Sequence, residues 1–174
     1  MPASSPPLFA NPHGINGFEF VEFAAPDPQL LHTLFTRMGF SAVARHKRQA
    51  ITLYRQGGCN FLVNQQPDSF AADFAHAHGP SACGFAIRVR DGAAVHAAVL
   101  ANGAEAISHK PETAAVAAPT IKGIGDCMLY LVTDKGGFAD LYDAEFDFFP
   151  DLPRHPKGFG LKFIDHLTHN VFFG

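Results

Sequence analysis

The chain has 174 residues, of which 47% are hydrophobic and 17% are charged, and its formal net charge is −3. This composition is typical of a globular domain and excludes a disordered chain. The weak negative charge, without any basic block, argues against nucleic acid or an anionic membrane as the main partner. No apolar run approaches the roughly 18 residues of a membrane span, and the cysteines form no CxxC pair, so we expect a cytoplasmic protein.

A first structural unit is predicted over about residues 15–66, after a leader at residues 1–14 that we expect to be flexible. The stretch GFEFVEFAAPDP predicts a strand and then a helix that Asp27 caps. Apolar residues continue at helical spacing until Gly39, which ends the helix. Extended segments with a Gly-Gly turn between the last two are expected at residues 41–48, 50–55 and 60–64.

The same order of elements recurs over about residues 82–145. A strand opens with Gly84, Asp91 precedes a helix, and three extended segments are expected at residues 105–108, 128–132 and 139–142. A short helix capped by Asp68 joins the two units and stops at Gly79. Two βαβββ modules with antiparallel strands predict an α+β fold, with helices on one face of a curved sheet and a second face that can line a cavity.

The end of the chain predicts the opening strand of a third module. Residues 146–160 are rich in proline and are expected to be a connector, and residues 161–174 predict the first strand of a further domain. When this strand is aligned with the first strand of the chain, His166 falls where the first strand has Phe20.

His166 is the candidate metal ligand in this chain. His169 points to the other face of the predicted strand, because side chains alternate along a strand, so the two histidines cannot chelate one ion together. An iron site of the facial type needs two histidines and one carboxylate and leaves positions open for substrate and oxygen. No other histidine has an evident claim on such a site, and structural roles are expected for His13, His32, His46, His76, His78, His96, His109, His155 and His169.

The acidic residues Glu19 and Glu22 are expected on opposite faces of the first strand, in a salt bridge or at a solvated rim. They therefore do not predict a carboxylate pair for acid–base chemistry. No residue of this chain is assigned a catalytic role.

Several separated motifs together resemble bacterial 4-hydroxyphenylpyruvate dioxygenases, from about Asn11 to the last residue. They are NGFEFVEFAAPDP, RMGF, TLYRQGG, FLVN, PDSFA, HGPSACGFAIRVRD, IKGIGDCMLYLV and IDHLTHNV. The resemblance implies a vicinal-oxygen-chelate fold, also known from glyoxalase and bleomycin-resistance proteins. It also implies a non-haem Fe(II) enzyme of tyrosine catabolism that converts 4-hydroxyphenylpyruvate and O₂ to homogentisate and CO₂.

In the family pattern the histidine of the IDH triplet is the first iron ligand, which corresponds to His166. The second histidine, the glutamate and the substrate pocket belong to a C-terminal half that follows the last residue of this chain. The resemblance thus implies a metal-free domain over residues 15–145 and an isolated chain that is inactive and binds Fe(II) weakly. Its partners would be the keto-acid substrate and O₂ in the complete enzyme, with either a homo-oligomer or a complementing catalytic chain. A hydroxymandelate-forming relative would fit the same motifs.

Two alternatives remain at this point. One is a non-catalytic module whose terminal strand adds to the sheet of a partner. The other is a small stand-alone metalloenzyme like glyoxalase, which needs ligands at matched strand positions where this chain has Phe20 and Ile87 or Val89.

Overall fold

The computed structural model describes residues 10–107, 111–134 and 139–170. The helices in these residues are α1 Pro28–Arg37, α2 Phe70–His78, α3 Gly92–Ala101 and α4 Ala139–Glu145. The strands are β1 Phe18–Ala24, β2 Ser41–His46, β3 Ile51–Gln56, β4 Cys59–Asn64, β5 Ser81–Val89, β6 Thr120–Lys122, β7 Met128–Thr133 and β8 Phe146–Phe148. They form one mixed sheet in the order β6-β7-β5-β1-β4-β3-β2-β8.

The sheet confirms the α+β class but not purely antiparallel pairing. β1 lies parallel to β4, and β5 lies parallel to β7, whereas β1 and β5 join the two modules in antiparallel register. The parallel pair in the first module arises because α1 carries the chain from β1 to the far strand β2. The chain then returns through β3 to β4, which lies next to β1 and runs in the same direction as β1. Parallel neighbours need such a crossover connection.

The helix starts follow the predicted capping chemistry with one exception. The side chain of Asp27 accepts a hydrogen bond from the backbone N–H of Gln29 at 3.0 Å and caps α1, and Asp91 caps α3. For α2 the predicted cap was wrong. Ser69 caps this helix through its hydroxyl, while Asp68 lies in the preceding turn with a φ of 52°.

The second module departs from the predicted strand pattern. Residues 139–142, predicted as a strand, begin α4, because four residues cannot show whether an apolar spacing is helical or extended. The predicted strand at 105–108 is represented by a single bridge from Ala106 to Ile121, and Ser108 lies outside the described residues. β6 was not predicted, and β8 pairs with β2 within residues that were assigned to the connector.

The two faces of the sheet have separate cores. α1 and its neighbours cover one face with a cluster that includes Leu31, Phe35, Phe40, Tyr54, Cys59 and Val63. The other face, which was expected to line a cavity, is filled by side chains of the sheet, of α4 and of the loop before β6. This second cluster includes Phe20, Leu53, Leu62, Ala115, Val116, Met128, Tyr130, Tyr142 and Phe146.

The terminal segment, residues 161–170, is irregular, so the prediction of a strand here is wrong for the described residues. A strand requires a repeated ladder with a neighbour, and this segment instead crosses the helical face of the sheet. Its carbonyl at Lys162 accepts a hydrogen bond from the N–H of Gly58 at 2.8 Å, and Ile164 packs against the cluster beneath α1. Further along, the ring of His169 lies 5.9 Å from the ring of Phe85.

Candidate functional site

The position on β1 that corresponds to His166 is filled by an aromatic ring. Phe20 has an exposed fraction of 0%, and its ring lies 5.1 Å from the ring of Tyr130. A phenylalanine in a closed core can neither bind a metal nor reach a substrate. The first strand therefore uses this position for packing.

Two residues further along β1, Glu22 is buried in a hydrogen-bond network. Its carboxylate accepts hydrogen bonds from the amide of Asn64 at 2.7 Å and from the hydroxyl of Tyr130 at 2.6 Å. The same hydroxyl accepts the backbone N–H of Ala115 at 3.1 Å. Burial raises the pKa of Glu22, although both side-chain hydrogen bonds act in the opposite direction. Burial, reinforced by the nearby Glu22, also raises the pKa of Tyr130 well above its ordinary value.

Glu19 reaches the same face as Glu22, contrary to the prediction of opposite faces. The pairing between β1 and β5 shifts between Phe18 and Phe20, so Glu19 is the extra residue of a β-bulge, and strand alternation is interrupted there. Its carboxylate forms the expected salt bridge, with Arg88 at 3.0 Å. Glu22, with an exposed fraction of 1%, belongs to the interior and not to a solvated rim.

Arg55 completes a buried polar layer next to Glu19. Its guanidinium donates to the side chain of Asn60 at 2.6 Å and to the carbonyl of Arg154 at 2.9 Å, and it lies 4.9 Å from the centre of the Tyr142 ring. Burial lowers the pKa of Arg55. This layer was not predicted, although Asn60 and Asn64, four residues apart in CNFLVN, place two amides on one face of the buried strand β4.

The described residues do not fit an iron ion on their own. No group of three histidine, cysteine, aspartate or glutamate side chains that could hold a metal occurs among them. His46 illustrates why, because its Nδ1 accepts the backbone N–H groups of Arg48 and Gln49 at 3.1 and 3.0 Å, and its Nε2 faces Glu145 at 3.3 Å. Both ring nitrogens are thus used to hold the β2–β3 turn and α4 in place. His109 lies outside the described residues.

His166 has the opposite environment. Its side chain is 74% exposed, and its Nδ1 lies 3.0 Å from a carboxylate oxygen of Asp165. That hydrogen bond lowers the pKa of Asp165. An imidazole that donates its Nδ1 proton to a carboxylate keeps the lone pair on Nε2 available for another partner, as histidine ligands of metals commonly do.

A groove of about 480 Å³ lies between the terminal segment and the sheet. Aromatic side chains and histidines contribute to its walls, which include Val21, Phe74, His78, Phe85, Ile124, Cys127, Leu167 and His169. His166 is not among the lining residues, so its imidazole is directed elsewhere.

Because the side chain of His166 is 74% exposed and its ion pair is with Asp165, its neighbour in sequence, its removal should not affect folding. We expect His166→Ala to change the free energy of unfolding by less than about 0.5 kcal/mol, as for other exposed side chains. Denaturant unfolding of both proteins measures this difference. A loss well above that size would show that the imidazole supports the fold.

The two modules joined in one mixed sheet, together with the matches that follow, place the chain among the vicinal-oxygen-chelate proteins of the α+β class. A solved structure entitled "xylose isomerase-like TIM barrel/4-hydroxyphenylpyruvate dioxygenase fusion protein" matches with a TM-score of 0.70 and 30% identity, over 80% of this chain and 22% of that chain. The family model described as "Hydroxyphenylpyruvate dioxygenase, HPPD, N-terminal" matches residues 9–147. The chain belongs to this family.

Curated relatives extend the similarity across almost the whole chain. A 4-hydroxyphenylpyruvate dioxygenase of Pseudomonas sp. (strain P.J. 874) is 46% identical over 96% of this chain and 47% of its own length. A protein of Vibrio vulnificus (strain CMCP6) named Hemolysin VllY is also 46% identical, over 92% of this chain and 46% of its own length. The chain thus spans about half the length of each of these two relatives.

Proposed function

We propose that this chain is the front part of a non-haem iron dioxygenase that converts 4-hydroxyphenylpyruvate and O₂ to homogentisate and CO₂, with a metal-free domain over residues 15–145. The observation that carries the proposal is the 46% identity, over 96% of the chain, with a relative named for this activity. The packed sheet face supports it, because the position on β1 that corresponds to His166 is filled by Phe20, which lies in the core and cannot bind a metal.

In the proposed enzyme His166 would be one iron ligand, and the remaining ligands would come from residues outside this chain. The iron would supply the activation of O₂ when bound. This chain would contribute an exposed imidazole whose orientation is set by Asp165 at 3.0 Å. The protein would act in the cytoplasm, in keeping with Cys59, Cys83 and Cys127, which are free and buried thiols. Among the described residues, no helix is both long enough and apolar enough for a membrane span.

The isolated chain should not bind Fe(II) stoichiometrically. One imidazole offers neither the donor number nor the geometry that a facial iron site requires. We expect an anaerobic titration to show no saturable binding at micromolar iron, with identical curves for the chain and for His166→Ala. Tight binding of one iron per chain would contradict the proposal.

The activity is tested by joining this chain to the second half of the Pseudomonas relative. We expect the chimera to bind iron and to form homogentisate from 4-hydroxyphenylpyruvate. His166→Ala should lower the activity by about a hundredfold or more, since it removes a ligand and not merely a supporting group. His169→Ala is the matched control and should retain activity. A folded chimera that is equally active and equally loaded with iron after His166→Ala would contradict the role of His166.

A second candidate function is a non-catalytic module that binds another protein or a second copy of itself. The observation that favours it is the exposure of two large apolar side chains near the end of the described residues, since Phe159 is 80% exposed and Phe163 is 69% exposed. A folded chimera without iron or activity, together with concentration-dependent self-association that Phe163→Ser abolishes, would favour this function over the dioxygenase.

A further inference from the structure

The buried side chain of Gln56 binds the connector close to where the terminal segment begins. Gln56, at the end of β3, has an exposed fraction of 0%. Its amide nitrogen donates to the carbonyl of Met38 at 2.9 Å, at the end of α1. Its amide oxygen accepts the backbone N–H groups of Phe159 and Leu161 at 2.6 and 3.3 Å. A single buried amide therefore joins α1, β3 and the connector.

The turn that follows Gln56 binds both the connector and the start of the terminal segment through its backbone. The N–H of Gly57 donates to the carbonyl of Pro156 at 2.8 Å, and the N–H of Gly58 donates to the carbonyl of Lys162 at 2.8 Å. Together with Gln56, these bonds fix the connector at both ends of a short loop.

The same turn leaves no space for a side chain. A Cβ on Gly58 would lie 2.5 Å from the carbonyl oxygen of Lys162, and a Cβ on Gly57 would meet the carbonyl of Leu161 still more closely. Gly57 also has a φ of +56°, whereas Gly58 is not among the glycines with a positive φ. Glycine at position 58 is thus explained by the closeness of the connector and not by backbone conformation.

We propose that Gln56, Gly57 and Gly58 form a latch that fixes where the connector leaves the domain and so positions the segment that carries His166. Gln56 is a positioning residue, because its side chain forms hydrogen bonds with Met38, Phe159 and Leu161 and not with His166. That the latch places an iron ligand rests on the proposed function. The latch itself does not, because it is a property of contacts within this chain.

Two variants test the latch by different routes. Gln56→Ala removes the three hydrogen bonds, and Gly58→Ala inserts a methyl group against Lys162 without demanding a new backbone conformation. Amide hydrogen exchange on the 174-residue chain measures the result. We expect exchange at Phe159 and Leu161 to become about tenfold faster in Gln56→Ala, the effect of losing a hydrogen bond of ordinary strength. Gly58→Ala should speed up exchange at the same two amides. We expect this variant to remain folded, so it tests the latch even if Gln56→Ala does not fold.

Two controls separate release of the connector from general destabilisation. The amide of Tyr130, in the central sheet, should keep its exchange rate in both variants. Val95→Ala, which removes buried side-chain volume in α3, should leave Phe159 and Leu161 unchanged. Exchange at Phe159 and Leu161 within about twofold of the unsubstituted chain, or equal acceleration at Tyr130, would overturn the latch.

The position of the terminal segment is a second quantity to measure. It would not change if Gln56 only stabilised the domain without positioning this segment. The rings of His169 and Phe85 lie 5.9 Å apart, so their protons should give NMR cross-peaks in the unsubstituted chain and in Val95→Ala. We expect these cross-peaks to disappear in Gln56→Ala and in Gly58→Ala. Their persistence at full intensity in both variants would show that the segment is positioned without the latch. Neither measurement involves iron, so failure of the latch and failure of the proposed function are distinguishable.

Discussion

Arg55→Ala should lower the free energy of unfolding by about 3–5 kcal/mol, the range found when one partner of a buried charged network is removed. Arg55 is 1% exposed, and it holds Asn60 on the neighbouring strand and the carbonyl of Arg154 on the connector. Its removal would leave both acceptors without their donor and would open a cavity beneath the Tyr142 ring. Denaturant unfolding measures the loss.

Arg45→Ala is the matched control, because Arg45 has the same side chain on the adjacent strand β2 but is exposed. It should change the free energy of unfolding by no more than about 0.5 kcal/mol. If Arg55→Ala cost no more than Arg45→Ala, the buried polar layer would not contribute to the stability of this domain.

Glu22→Gln should become progressively more favourable, relative to the unsubstituted chain, as the pH rises above about 4.5, the ordinary pKa of a glutamate. Burial raises the pKa of Glu22, so below this pH the carboxyl is protonated in both states and adds no pH dependence. Above it, the unfolded chain releases the proton while the folded chain retains it. Stability therefore falls with rising pH until the folded pKa is passed. Glutamine cannot ionise and lacks this fall.

The measured quantity is the difference in unfolding free energy between the two proteins at several pH values between about 4.5 and 7.5. A constant offset is expected as well, because glutamine cannot accept from both Asn64 and Tyr130. Glu105→Gln is the control, since Glu105 is an exposed carboxylate with Lys122 at 3.7 Å. A difference for Glu22→Gln that stays constant over this range would contradict the raised pKa.

Much of the fold follows from local patterns in the sequence. Asp27 and Asp91 each precede an apolar helical spacing, and the structure uses both side chains as caps. The helix at residues 139–145 was not predictable in the same way, because it is held by long-range contacts. Tyr142 is buried against the sheet, and β8, which follows directly, pairs with β2, where His46 lies opposite Phe146 and Ala44 lies opposite Phe148.

The buried polar contacts of Glu19 and Glu22 were less predictable than the fold. Alternation along β1 assigns Glu19 and Glu22 to opposite faces, and only the pairing with β5 reveals the bulge that brings them together. Glu22 on β1 binds Asn64 on β4 and Tyr130 on β7. Partners on three separate strands cannot be identified by spacing within one segment. His166 could be identified because its motif is local, and its role as an iron ligand stays a prediction.

The most direct test of the central claim is the size and iron content of the native polypeptide that carries this sequence, purified from the cells that express it. We predict a polypeptide of about twice 18.7 kDa, since the chain covers 47% of its dioxygenase relative, with one iron bound per polypeptide. A native polypeptide of 18.7 kDa that is free of iron and has no complementing catalytic chain would contradict it.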